Sequence, residues 1–208
     1  MRKNSSQFLQ SIFDVHHPFW LIVEKCFTIF LLNICFVVTC LPLVTIGMAR
    51  LALNASLMEL QRYGKIPVLS TYFGMVKRHW TVGLKLVLIE GLIVGTCIVD
   101  LWITAGVASF PIQLLRVVCF AILLFSQMIF PYVYYLASGQ IWSLADLVKI
   151  SILLASKNIY LTLFILVLML SVAFVLFINA LSFLLTVTVF MVFGFATLAY
   201  VFILNCKH

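Results

Sequence analysis

Long apolar runs separated by short polar breaks organise this chain. Five stretches, at about 20–41, 82–103, 116–136, 159–178 and 183–204, are each built almost wholly of apolar residues. Each is close to the roughly 20 residues that an α-helix needs to cross about 30 Å of hydrocarbon. The breaks between them are Pro42, the segment from Gly106 to Pro111, Ser138-Gly139-Gln140, and Asn179-Ala180-Leu181-Ser182. Pro131 inside the third run predicts a kink, which a membrane helix tolerates when its neighbours cover the freed carbonyl.

A sixth stretch, 44–61, carries Arg50, Asn54 and Glu59, so hydropathy alone would lay it at the interface. The distribution of Lys and Arg argues instead that it spans. With six spans, every basic residue except Arg50 and Arg116 falls on the side that holds both termini, the cytoplasmic side. With five, Arg2, Lys3, Lys25 and Arg116 collect on the opposite face. Trp20, Tyr63, Trp80, Tyr134, Tyr135, Tyr160 and Tyr200 would then fall near the inner ends of the six spans, in the headgroup zone that suits amphipathic rings. The expected fold is all-α: a polytopic transmembrane helix bundle of six spans, alternatively five, forming a single domain over residues 1–208.

Three inner connections, at 5–17, 66–79 and 142–157, read as amphipathic helices lying in the interface. In the last, Leu144, Leu147, Val148 and Leu154 come near one face. Lys77-Arg78-His79-Trp80 and Lys157-Asn158-Ile159-Tyr160 both place a basic residue just before an aromatic span entry. That similarity raises a repeated unit of surface helix followed by membrane hairpin.

Composition sharpens this picture. Of 208 residues, 65% are hydrophobic and 9% charged, so a folded soluble particle could not be covered with polar surface. The mean hydropathy of +1.23 excludes disorder as firmly. The net charge of +7 is spread thinly beside apolar segments, which fits topology signals and anionic headgroups and makes no case for nucleic acid. The six cysteines show no C-x-x-C spacing and read as small buried hydrophobes. The first 19 residues, with Asp14, His16, His17 and Pro18, lack the compact apolar core of a cleaved signal peptide. His16, His17 and His79 belong to no cluster at metal-ligand spacing, and no cofactor is implied. Neither H-E-x-x-H, G-x-S-x-G nor a phosphate-cradling glycine loop is present, so the expectation is that the protein is not an enzyme.

Ionisable groups at bilayer depth are costly, and each needs a reason. Glu90 lies about 12 Å into its span at 1.5 Å per residue. It is either a proton carrier or a structural carboxyl facing a neighbouring helix. Arg50 and Asp100 sit at similar depth near outer ends and are expected to pair, with Arg116 as a competing partner. Asn33, Asn54, Gln127 and Asn179 are expected to bond between helices. Gly91-x-x-x-Gly95 is a small-residue motif that permits close helix packing.

From Leu31 onward the chain resembles a known signature. Leu32-Asn33, Leu41-Pro42, Thr45-Ile46-Gly47-x-Ala49 and Leu51-Ala52-Leu53 resemble the YesL-like family of small bacterial integral membrane proteins of unknown function. Phe73-x-x-x-Lys77-Arg78-His79-Trp80 is similar to that family's basic-aromatic entry into the next span. Met48 stands where the family usually has Pro, and His79 where it often has Asn. The resemblance implies a bacterial plasma-membrane location and an accessory role near carbohydrate import, with a sugar-transporter permease or membrane sensor as partner beside the lipid bilayer. The expected function is therefore a non-enzymatic accessory or scaffold protein. The rival expectation is a small-solute or proton-coupled transporter in which Arg50, Glu90 and Asp100 line one path.

Overall fold

The computed structural model describes residues 18–106, 109–139 and 143–206, and its regular elements there are all helices. Helix α1 runs from Pro18 to Cys40 and stops at Leu41-Pro42, because the residue before a proline is pushed out of helical geometry. A 3-10 turn, Leu43–Thr45, reverses the chain. The Thr45 hydroxyl stitches that turn together by donating to the carbonyls of Thr39 and Pro42. Helix α2, Ile46–Tyr63, ends at Gly64, whose φ of 79° is the left-handed conformation that favours glycine. The remaining helices are α3 (Val68–Arg78), α4 (Trp80–Thr104), α5 (Phe110–Gly139), α6 (Leu144–Lys157), α7 (Ile159–Ile178) and α8 (Ala180–Cys206).

Four helices are long and apolar enough to cross a membrane: Ile22–Cys40 of α1, then α4, α5 and α8. A fifth candidate is the pair α6–α7, bent by 93° at a single break. Helix α7 alone runs 20 residues without a charge, which makes it the half of the pair with the length and composition to cross. Helix α6 supplies a helix within the expected 142–157, and its start is fixed by Ser143, whose hydroxyl bonds both the Asp146 carboxylate and the Asp146 backbone N–H. Helix α3 falls within the expected 66–79, but it packs against the bundle with Tyr72 fully buried; the helix expected at 5–17 lies outside the described residues.

The span at 44–61 is where structure and sequence reading part. Helix α2 is antiparallel to α1: the Lys65 ammonium, just past its end, is 2.6 Å from the Glu24 carboxylate near the start of α1. Helix α3 then brings the chain back, and its Tyr72 hydroxyl bonds Thr39 Oγ1 at 2.6 Å beside the turn where α1 ended. Helix α4 begins at that same turn. A Cβ on Gly47 would run into the Gly83 carbonyl oxygen, and one on Gly83 would lie 2.7 Å from the Met48 backbone. Six alternating spans require the start of α2 and the start of α4 at opposite faces, yet their backbones touch. Residues 46–78 therefore leave and return at one end, and the candidate crossings are α1, α4, α5, α7 and α8.

Helix α2 is nonetheless the most enclosed element, packed by α1, α3, α4, α5 and α8. Its Ala49, Ala52, Leu53, Leu57 and Leu60 meet α1, α3 and α8, while Leu51 faces Leu86 of α4 and Tyr134 of α5. Hydropathy rejects this helix because hydropathy measures lipid contact, and α2 is screened by protein. The cysteines are free, and Cys35, Cys97 and Cys119 are buried as expected, whereas Cys26 is exposed.

Single residues form two of the joints between helices. His79 (φ −100°, ψ 13°) separates α3 from α4, and Asn158 (φ −106°, ψ 44°) separates α6 from α7. Each donates its N–H to the carbonyl four residues back, Met75 or Leu154, and accepts from the N–H four residues on, Gly83 or Thr162. The shared unit is thus basic residue, polar joint, span, one position out of step with the alignment of Lys77 on Lys157.

The expected packing role of Gly91 and Gly95 is not used within the chain, because a Cβ at either would meet open space. Gly83→Ala is expected to lower stability by about 1–3 kcal/mol, the usual cost of overpacking, whereas Gly91→Ala leaves it unchanged or raised. Thermal unfolding of the two variants in the same detergent checks this; equal midpoints would contradict the close crossing.

Candidate functional site

Three helices bring one charged cluster together. Arg50 is on the first turns of α2, Glu90 near the middle of α4, and Tyr134 close to the C-terminal end of α5. The Gly47–Gly83 crossing makes this possible, because it holds the two backbones close enough for Arg50 to reach a residue further along α4. Arg50 Nη1 donates to Glu90 Oε1 at 2.9 Å and to Oε2 at 3.0 Å. The Tyr134 hydroxyl donates to Oε2 at 2.8 Å. The Arg50 guanidinium carbon also lies 5.2 Å from the centre of the Tyr134 ring, within cation–π range.

The two charges are not equally hidden. The Glu90 side chain is 11% exposed and both its oxygens are engaged, whereas the Arg50 side chain is 41% exposed. Arginine carries five N–H donors. Both contacts to Glu90 run through Nη1, so the guanidinium keeps donors on its open side. That side lines a cavity of about 580 Å³. Asn54 and Gln127 line it as well, and among the described residues neither amide has a hydrogen-bond partner. Pro131 sits on the same wall; it lacks the N–H that would otherwise bond the Gln127 carbonyl. The rest of the lining is apolar, with Phe36 of α1, Phe164 and Leu168 of α7, and Met191 and Leu198 of α8.

Asp100 does not join this site. It is ten residues beyond Glu90 on α4, about 15 Å along the axis, and accepts a 3.5 Å hydrogen bond from Cys119 Sγ on α5. Arg116 is nearby in the same helix pair, with Nε 3.4 Å from Thr104 Oγ1. The expected pairing of Arg50 with Asp100 is thus replaced by Arg50 with Glu90, and the three charges do not line one cavity. Tyr134, read as a headgroup-belt residue, is 2% exposed and belongs to the site. Its neighbour Tyr135 has the same residue type, and no spacing rule separates the two.

Asn33 performs the expected interhelical role in a specific way. Helix α8 contains a π-helical segment, Phe190–Gly194. Such a segment breaks the regular hydrogen-bond ladder. The fully buried Asn33 side chain repairs it: Nδ2 donates to the carbonyls of Phe190 (3.1 Å) and Met191 (2.7 Å), and Oδ1 accepts from the Ala196 N–H (2.9 Å). Among the described residues no group of three His, Cys, Asp or Glu side chains is placed to hold a metal ion.

Residues 29–101 match a family model described as "Protein of unknown function, DUF624". The DUF624 match covers Asn33, the Gly47–Gly83 crossing, Arg50, Glu90 and Asp100, but stops before α5, so Tyr134 and Gln127 lie beyond it. No curated protein and no solved structure matches the chain.

Removing one member of a buried ion pair costs about 3–5 kcal/mol, because the other charge is left uncompensated. With the Arg50 side chain 41% exposed the charge left behind is partly solvated, so Glu90→Leu is expected to destabilise by less, about 1–3 kcal/mol, and the double variant Arg50→Met/Glu90→Leu to recover most of it. Denaturation of the three proteins checks this; additive losses would show that the two groups act separately.

Proposed function

We propose that this chain is a non-enzymatic accessory protein of the bacterial plasma membrane, acting beside a carbohydrate permease or membrane sensor. The observation that carries this reading is the use to which its most buried carboxylate is put. Both oxygens of Glu90 are engaged in joining α2, α4 and α5, which is the work of a structural lock. The link to carbohydrate uptake rests on the YesL-like signature from Leu32 to Leu53. On this reading five helices cross, which puts the two ends of the described chain at opposite faces. Lys77, Arg78, Lys85, Lys149 and Lys157, near the α3–α4 joint and along α6, outnumber Lys25, Arg62, Lys65 and Arg116 toward the other face and favour the cytoplasm for the face where α8 ends. The C-terminal end is then cytoplasmic and the N-terminal end, contrary to the six-span expectation, is not.

Purification of the tagged chain from native membranes in mild detergent tests the accessory role. A sugar permease is expected to accompany it at fixed ratio; a chain recovered alone from cells that express the permease would sink the idea. The same cells report topology, since a C-terminal tag should resist protease in intact spheroplasts.

A second reading, a small transporter, is favoured by one observation: Arg50 and Glu90 both line the 580 Å³ cavity. Asp100 has no part in it. Flux of protons or sugars into proteoliposomes should fall about ten-fold or more in Glu90→Gln if the pair moves charge. Equal flux in variant and wild type removes Glu90 from any such mechanism.

A further inference from the structure

We propose that the cavity between α1, α2, α5, α7 and α8 is a binding site for one acyl chain whose oxygen-bearing head meets Arg50, Asn54 and Gln127. This goes beyond the accessory role, which stands or falls on its partners. The cavity volume, about 580 Å³, lies within the range of roughly 300–1,000 Å³ found for small-ligand sites. Such a volume takes one hydrocarbon chain more readily than a whole two-chain lipid.

The lining is divided by chemistry. Phe164 and Leu168 on α7, with Met191 and Leu198 on α8, offer only dispersion contacts and suit methylene groups. The polar wall on α2 and α5 offers donors. Arg50 is 41% exposed and retains N–H groups that Glu90 does not use. The Asn54 and Gln127 amides are unsatisfied by protein. Asn54 is nearly buried and Gln127 is exposed, so both amides stay open to an occupant with acceptor oxygens, which gains from a wall that is already built. Because Glu90 neutralises Arg50 from behind, the wall presents the positive end of a dipole, which an ester or carboxylate oxygen complements without requiring a highly charged head.

A free fatty acid and a membrane phospholipid share this chemistry, an acyl chain ending in carboxylate or ester oxygens. The two sources are separated by probe. The full chain is reconstituted in vesicles carrying either a diazirine-labelled oleic acid or a phosphatidylglycerol with the diazirine on one acyl chain. Crosslinked residues are then mapped by mass spectrometry after illumination.

Labelling is expected to concentrate on Phe164, Leu168 and Met191. Labelling by the oleic acid alone identifies a carboxylate head, and labelling by the phosphatidylglycerol alone identifies an ester-linked chain; either supports the site. Filling the cavity by Leu198→Trp should reduce it about ten-fold, and removing a head contact by Gln127→Leu about five-fold. Leu92→Trp, at a position 70% exposed on the far side of α4, should leave it unchanged and controls for folding and reconstitution. The proposal is overturned if labelling spreads evenly over exposed apolar faces, or if either Leu198→Trp or Gln127→Leu labels at the wild-type level.

Discussion

A cation and an anion enclosed among apolar helices constrain everything around them. In hydrocarbon each would cost several kcal/mol, and their attraction repays that only where geometry is good and the remaining polar atoms find partners. Arg50 and Glu90 meet the condition through two contacts, a tyrosine hydroxyl and a ring face. The pair can exist only if α2 is walled off from lipid, which explains why five helices pack around the least apolar one. It also explains the glycines at the crossing: a methyl group there would push α2 away from α4 and lengthen the ion pair.

The bundle has a division of labour that follows from this constraint. Helices α4, α5, α7 and α8 carry broad exposed apolar faces and little internal polarity, as lipid-facing elements must. Helices α3 and α6 turn into their spans through single residues, so basic side chains such as Lys77, Arg78 and Lys157 stay beside the span entries. Several hydroxyls, such as those of Thr28, Ser126 and Ser151, only bond a carbonyl of their own helix, but a smaller set of polar contacts joins separate helices, among them Thr39 to Tyr72, Tyr132 to Thr162, Asn33 to the π segment and Arg50 to Glu90. With little difference in apolarity between lipid tails and side chains, such bonds and close packing must supply the specificity that water-driven burial supplies in soluble proteins.

Much of this was readable along the chain. The five apolar runs became α1, α4, α5, α7 and α8 with ends shifted by a few residues, because run length against bilayer thickness is a strong signal. Arg50 and Glu90 stood out as charges within apolar surroundings. The fate of α2 was not readable, because basic-residue counts assume that each long helix alternates faces, and a helix that descends and returns satisfies neither side of the count. Pairing was equally hidden. Depth estimated from span ends put Arg50 level with Asp100, whereas the α2–α4 crossing puts it beside Glu90. Tyr134 lay outside any rule, since adjacent tyrosines on a helix differ by about 100° in direction and only the packing chooses between them.

The π segment in α8 has a consequence for how this chain can change over time. One extra residue is accommodated between Phe190 and Gly194, and it rotates all that follows by about 100° relative to an uninterrupted helix. Ala196, Phe202 and Ile203, which follow the segment, are buried in the core, so their facing depends on that rotation. A deletion of one residue here would yield a more regular helix and a misaligned one, turning those three outward while leaving Asn33 with no carbonyls to receive its amide. Asn33 and the bulge are therefore bound to each other as a unit: lineages can keep both or lose both, but neither persists comfortably without the other.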